Sequence, residues 1–314
     1  MNTALFTHPA CIEHDPGFGH PECPDRLRAV MQALEHEDFM FLARHEAPRA
    51  TREHLTLAHP AGHVDRVLAA IPAEGWRDID ADTTVCPASG EAALRAAGAV
   101  CAAVDAVFTD DSDPEGARNA FCAVRPPGHH AERGRAMGFC LFNSVAIGAL
   151  HARRAHGVER VAVIDFDVHH GNGTQDIFWD ADGLLYASTH QDRFYPGTGA
   201  AAERGGRGRI VNAPLPAGAG GPEFREAFQT VLLPALEDFR PDLVMISAGF
   251  DAHYADPLAQ LQLNEDDFVW ATRKLCTLAA EHAGGRLVST LEGGYDLAAL
   301  AVCTAAHVRE LMTA

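Results

Sequence analysis

The sequence is poor in positive charge: Lys and Arg number 25 against 43 Asp and Glu, a net charge of −18 over 314 residues. That deficit argues against a generic nucleic-acid binder and against a protein drawn to anionic membranes, because both meet phosphate with cationic surface. It suits a cationic substrate, although an acidic surface more often serves only solubility. Paired cysteines are missing too. The eight cysteines, at 11, 23, 86, 101, 122, 140, 276 and 303, form no Cys-x-x-Cys and no tight cluster. Neither a disulfide framework nor a thiolate zinc site is expected, and a reducing compartment is the simpler reading. No apolar run is long enough to cross a bilayer: the longest apolar-rich stretch, Ala96 to Phe108, is short and carries Asp105. Residues Met1 to Phe6 lack the basic start and long apolar core of a secretory signal, so the cytoplasm is the expected location. No Ser/Gly/Pro linker or internal repeat divides the chain. The turn-rich segment 196–209 and the Pro/Gly segment 214–222 are short and interleaved with strands, so residues 1–314 are expected to form one domain.

What is present is an alternation of β-branched apolar runs with helical patterns. Strands are expected at Asn119–Val124, Val161–Ile164, Leu184–Ser188, Asp242–Ser247 and Arg286–Leu291. Helices are expected at Asn143–His156, where Asn143 and Ser144 offer cap oxygens, and over 222–239 and 296–312. Such βα units imply a mostly parallel sheet covered by helices. Ligands of parallel sheets gather beyond the carboxyl ends of the strands. Here those ends lead into polar, Gly-rich loops: Arg125–His130, Asp165–Thr174, Ser188–His190, Ser247–Asp251 and Glu292–Tyr295. The loops should converge.

Histidine is the other abundance: 18 residues, with adjacent pairs at 129–130 and 169–170. Asp167 and His169 follow a buried strand at a spacing of two, which points both side chains to one side. Asp251, ending another apolar strand, can supply a third ligand. Two carboxylates and one imidazole leave coordination positions open, as in a catalytic site, and suit Zn²⁺, with Fe²⁺ possible. A lone Asp-x-His is more often a loop cap; the surrounding polar loops favour the metal. His129 and His130 follow the rigid Pro126-Pro127-Gly128 turn and are candidate proton carriers. Asp165, two residues before Asp167, is a plausible carboxylate partner for one of them. Tyr295, after Glu292-Gly293-Gly294, can donate to a developing oxyanion. Most other histidines, His253 included, are expected at the surface or in loops.

The motifs Arg125–Glu132, Gly138–Asn143, Asp165–Gln175, Ser247–Asp251 and Glu292–Tyr295, together with His20-Pro21-Glu22, Pro24 and Arg26, resemble the zinc-dependent histone deacetylase and acetylpolyamine amidohydrolase family. The likeness runs from about residue 8 to 300, and Glu292-Gly-Gly-Tyr with Asn172 is similar to the class II branch. The resemblance implies a three-layer α/β/α arginase/deacetylase fold around an eight-stranded, mostly parallel sheet. It implies one Zn²⁺ on Asp167, His169 and Asp251, with His130 as general base. His129 is implied to be held charged by Asp165, and Tyr295 to donate to the oxyanion. Neutral Asn172, the implied partner of His130, does not favour imidazolium as Asp165 does. Gly138, Phe139, Tyr195 and Leu258 are implied to line an acyl-lysine tunnel, although the family usually has Phe at Tyr195. Arg26 is implied to sit near a pocket for the released acetate. A structural K⁺ is implied at Asp165, Asp167, His169, Ser188 and Thr189, and a second near the carbonyls of Phe178, Ala181 and Leu184.

The expected reaction is hydrolysis of an N-acyl amide, and Leu258 after Asp256-Pro257 points to N-acetyl-lysine. Polyamine-selective members carry an acid at the tunnel mouth, and an ammonium gains little there without one. Asp80, Asp82 or Asp15 could supply that charge and make the substrate an acetylpolyamine or another small amide. Less favoured are a two-metal, arginase-like ureohydrolase, which needs a second set of carboxylates, and an inactive binding protein. An acylated lysine or small acylated amine is the expected partner, with no nucleic acid and no membrane.

Overall fold

A computed structural model describes residues 3–109, 113 and 116–314; Met1 and Asn2 of the N-terminal segment lie outside the described residues. The strands are β1 (Thr3–Thr7), β2 (Ala43–Glu46), β3 (Arg77–Asp78), β4 (Thr84–Val85), β5 (Asn119–Cys122), β6 (Val161–Asp165), β7 (Leu184–Gln191), β8 (Ile210–Leu215), β9 (Leu243–Ala248) and β10 (Leu287–Leu291). The helices are α1 (Ala10–Glu13), α2 (Pro24–Ala33), α3 (Arg52–Ala58), α4 (Ala61–Ala70), α5 (Ser89–Phe108), α6 (Ser144–His156), α7 (Asn172–Phe178), α8 (Gly221–Ala227), α9 (Leu233–Phe239), α10 (Glu265–His282) and α11 (Leu297–Thr313). Eight strands form one sheet in the order β2-β1-β5-β10-β9-β6-β7-β8, every neighbouring pair parallel. β3 and β4 form a separate antiparallel pair.

Strands β5, β6, β9 and β10 are buried at every position, which requires cover on both sheet faces. α5 packs on β1 and β5, and α6 on β6 and β9; α10 and α11 pack on β9 and β5. The result is the expected α/β/α layering. No helix among the described residues is long and apolar enough to cross a membrane.

Strand order decides where the site lies. The four central strands end side by side, and the register sets Asp165 of β6 opposite Ser188 of β7 and Ser247 of β9. Their loops therefore open on one edge of the sheet.

Three departures from the sequence reading have local causes. β2 reads Ala-Arg-His-Glu and alternates half-buried with exposed at the sheet edge, so it carries no apolar signal. β8, the other edge, contains Pro214, whose missing N–H is tolerated only where no further strand pairs. The helix expected over 222–239 is α8 and α9 joined by a π-helical turn, Phe228–Leu232, just before Pro234, which cannot donate to the helical ladder.

The placement of histidine also needs correcting. His253, expected at the surface or in a loop, lies in the loop after β9 but is buried, as are His14, His59, His63, His151, His190 and His307. Several of these imidazoles join separate elements through both ring nitrogens. His307 bridges Thr272 of α10 and Ser289 of β10, at 2.7 and 2.9 Å. His59 bridges the Arg133 carbonyl and the Asn143 N–H. A buried imidazole with both nitrogens satisfied is a stable interior residue, and composition alone does not reveal it.

Candidate functional site

β6 ends in Asp165, the loop after it carries Asp167 and His169, and the loop after β9 brings Asp251 against them. His169 Nδ1 lies 3.1 Å from Asp167 Oδ1 and 3.1 Å from Asp251 Oδ2, and all three residues are buried. Backbone N–H groups aim the carboxylates: Gly293 donates to Asp167 Oδ2 at 2.8 Å, and Val168 to Asp251 Oδ1 at 2.9 Å. The chain comes that close only because residues 249 and 293 are glycine. A Cβ on Gly249 would stand 2.0 Å from Asp167 Oδ2, and one on Gly293 2.0 Å from Asp251 Oδ2. Burial and the adjacent Asp167 charge push the Asp251 carboxyl up to about 7, with His169 opposing. Burial also opposes ionisation of Asp167, but the His129 charge and hydrogen bonding to His169 outweigh it and hold that carboxyl well below its usual range. Two carboxylates and an imidazole converging in a buried pocket are a candidate seat for a divalent ion, and three such ligands would leave coordination positions open.

His129 and His130 come from the turn after β5. The Glu292 Oε2 accepts from the Gly128 and His129 N–H groups at 2.7 and 3.1 Å, tying that turn to the end of β10. The two rings lie 4.0 Å apart, centre to centre, yet have different partners. His129 Nδ1 donates to Asp165 Oδ2 at 3.0 Å. His130 Nδ1 meets Asn172 Oδ1 at 2.8 Å, while the Asn172 amide nitrogen donates to Glu132 Oε1 at 2.7 Å. That second bond fixes the amide orientation, so the Nδ1 of His130 carries a proton and its Nε2 keeps a lone pair. Burial disfavours charge on both rings. For His129 the Asp165 and Asp167 carboxylates outweigh burial and hold the imidazole well above its ordinary value. For His130 the charges of His129 and His169 act with burial and hold it well below.

Gly138, Phe139, Tyr195 and Leu258 line a pocket that ends on His130, His169 and Tyr295. Phe139 stands at φ 67°, a conformation costly for a bulky side chain, and its ring packs edge-on to Tyr295 with 6.0 Å between centres. Asp82 and Thr83 hold it there: Asp82 Oδ1 accepts from the Gly138 N–H at 3.0 Å, and Thr83 Oγ1 from the Phe139 N–H at 3.1 Å. Among the acidic residues weighed from sequence, Asp82 lines the pocket; Asp80 accepts from the Asp82 and Thr83 N–H groups, and Asp15 from the Gly17 N–H. Tyr195 Oη is buried without a hydrogen-bond partner. The loop-pinning role of Thr83 had no sequence signal, because the positive φ of Phe139 is a tertiary fact.

Tyr295 is anchored by its N–H to Asp256 Oδ2 at 2.7 Å. Arg26 lies behind it, 4.9 Å from the ring centre, and donates to the carbonyls of Gly294 and Glu292 and to Glu22. Glu22 also receives Arg125, so one buried carboxylate holds two buried guanidinium groups. Beside Asp165, Ser188 Oγ lies 2.8 Å from His190 Nδ1, and Thr189 Oγ1 is buried without a partner.

Comparison with known proteins follows the same lines. Residues 20–311 match the histone deacetylase domain. The histone deacetylase-like amidohydrolase of Pseudomonas aeruginosa is 43% identical over 98% of this chain and 86% of its own. The probable deacetylase of Archaeoglobus fulgidus is 36% identical over 95% of this chain and 82% of its own. The crystal structure of the HDA15 HD domain superposes with a TM-score of 0.91 at 37% identity, covering 99% of this chain and 88% of that one.

Proposed function

This chain belongs to the histone deacetylase family, and we propose that it hydrolyses N-acetyl-lysine amides with one Zn²⁺ seated on Asp167, His169 and Asp251. The observation that carries the reading is the different partners of two adjacent imidazoles beside that seat: the Asp165 carboxylate on His129 Nδ1, which favours its charged form, and the neutral Asn172 amide on His130 Nδ1, which does not. The donor set fits the ion, since two carboxylates and an imidazole are a borderline-hard combination that suits Zn²⁺ and admits Fe²⁺. A divalent ion there supplies Lewis-acid polarisation of the acyl carbonyl and makes a nearby water more acidic.

The chain's own groups do the rest. Neutral His130 accepts the water proton at Nε2, because its Nδ1 already donates to Asn172. The same nitrogen then returns the proton to the leaving amine, so that water and amide yield acetate and free amine. His129, held as imidazolium, stabilises the negative charge that develops beside it. Tyr295 supplies a hydroxyl donor to the carbonyl oxygen as it becomes anionic. Arg26 keeps the Glu292–Gly294 turn in place and offers a buried cation to a released acetate. Phe139, Leu258 and Tyr195 take the aliphatic chain. The pairing of Asp165 with Ser188 supports a K⁺ position on Asp165, Asp167, Ser188 and the backbone carbonyls of His169 and Thr189.

Leu258 in the pocket wall favours lysine over a cationic polyamine. Asp82, also on that wall, favours a second reading, an acetylpolyamine, but its Oδ1 already accepts from Thr83 Oγ1 and the Gly138 N–H. An arginase-like two-metal site finds less support: the other His/Cys/Asp groups among the described residues have no member on the pocket wall. The deciding experiment compares kcat/KM for acetyl-lysine peptides, N-acetylpolyamines and longer acyl-lysines on the zinc-loaded protein. Highest efficiency on acetyl-lysine is expected. A tenfold preference for polyamine transfers the assignment to the second reading, and no turnover of any amide ends it. The cytoplasm is the proposed location.

A further inference from the structure

A second cluster of metal-ligating side chains lies between α3, α5 and α6, with no member on the pocket wall. Cys101 and Asp105 are four residues apart on α5 and so share a face. His151 and His156 come from α6, and His54 from α3. Asp105 Oδ1 lies 2.7 Å from His151 Nε2 and 2.7 Å from His156 Nε2. The His54 ring approaches His151 edge-on, with 4.9 Å between centres. His156 stacks on Phe108 at 4.7 Å, which fixes the plane of its ring. Asp105, His151 and His156 offer ligand atoms within 4.8 Å of one another; His54, Cys101 and His151 do the same, so His151 belongs to both groups.

We propose that this cluster is a second divalent-metal site, with Asp105, His151 and His156 as ligands and Cys101 and His54 on its inner side. One carboxylate and two imidazoles, with a thiol in reserve, match Zn²⁺ and its borderline neighbours Co²⁺ and Ni²⁺ rather than Mg²⁺ or Ca²⁺, which take oxygen. The access is graded: the His151 side chain is 10% exposed, that of His156 24% and that of Asp105 52%, so a buried anchor stands behind a solvent-facing carboxylate. Without an ion, one carboxylate oxygen is shared by two imidazole N–H groups, a clamp that needs a proton on each Nε2. Ligand atoms around tetrahedral zinc stand about 3.3 Å apart, from bonds of about 2.0 Å. Entry of the ion at each Nε2 therefore requires each imidazole to carry its proton on Nδ1 instead, exchanged through solvent, and spreads the present contacts by about half an ångström, within the reach of side-chain torsions. The site ties α6 to α5. α6 is capped by Asn143, whose amide donates to the Ala131 carbonyl just after the His pair, so the inferred ion is structural.

The test counts metal on the full chain. The protein is equilibrated with micromolar free Zn²⁺, passed through a desalting column and analysed for zinc, alongside the double variant Asp105→Asn/His156→Ala. Two zinc ions per wild-type chain and one per double-variant chain are expected. The double variant should retain turnover and a single cooperative melt, which shows that it folds. In the wild type alone, the second equivalent should also raise the melting temperature. Equal zinc counts on the two chains overturn the proposal, at one equivalent each because the cluster then holds none, and at two because the second would sit on other surface histidines. The readout is the difference between two chains with the same pocket, so it stands whether or not the catalytic assignment holds.

Discussion

His130 Nδ1 lies 2.8 Å from Asn172 Oδ1, and an amide oxygen at that place accepts a hydrogen bond without adding charge. Its neighbour His129 has a carboxylate in the same position. Amide against acid is one of the differences between two equally buried rings; the Asp167 charge acting on His129 and the His169 charge acting on His130 push them apart in the same sense.

Asn172→Asp should erase that distinction. A carboxylate beside Nδ1 favours the imidazolium of His130, so its pKa rises and the base is neutral only at higher pH. The acidic limb of the kcat/KM profile is expected to move to higher pH by about 1–3 units. A pH–rate series on both proteins checks it. An unmoved limb would remove His130 from the role of base.

Tyr295→Phe deletes the hydroxyl while keeping the ring against Phe139 and Arg26. A donor used in the transition state is worth about 10²–10³ in kcat, with KM little changed. Steady-state kinetics on an acetyl-lysine reporter read this directly. A change confined to KM would mean that the hydroxyl binds substrate instead.

Stripping the metal with a chelator should abolish turnover, and adding Zn²⁺ back should restore it. Asp251, pushed up to about 7 by burial and by Asp167, takes up a proton as the pH falls through that value, and the proton competes with the ion. The rise in melting temperature on zinc addition to the stripped protein is therefore expected to be larger at pH 8 than at pH 6. Equal shifts at both would contradict the placement of Asp251 as a ligand.

Glu22→Gln leaves Arg26 and Arg125 buried without their shared counter-charge. Breaking a buried pair in this way costs about 3–5 kcal/mol, read as a lower midpoint in chemical denaturation. In the wild type, burial opposes the Glu22 charge, but Arg125 and His14 outweigh it and hold the carboxyl well below 4.5. As the pH falls, the unfolded chain therefore protonates first. The contribution of Glu22 is complete above about 4.5 and is lost below it as the pH drops through the folded value.

Much of this site could be read directly. Asp167-x-His169 and the apolar strand before Asp251 pointed to three side chains that do converge as a candidate metal seat, and the turn before His129 and His130 pointed to the pair that lies beside it. Period-two geometry and the preference of parallel sheets for ligands at their carboxyl edge are local rules, and these residues obey them. The edge strands β2 and β8 were illegible for a related reason: an edge is half solvated, so no apolar run is needed to hold it.

The sequence by itself determined the alternation of strand and helix, the metal-type ligands and the absence of a membrane-spanning run, because each depends on residue type and spacing along the chain. The partners of the His pair, Asp165 for His129 and Asn172 for His130, were implied by the family resemblance and are met in the structure. Only the tertiary structure decided the contacts that the resemblance left open. It buried His253, put Asp82 on the pocket wall as a brace for Phe139, and brought Asp105 between two histidines of another helix. These are contacts between segments tens of residues apart, set by strand order and helix packing, and burial then makes each of them decide where a proton resides.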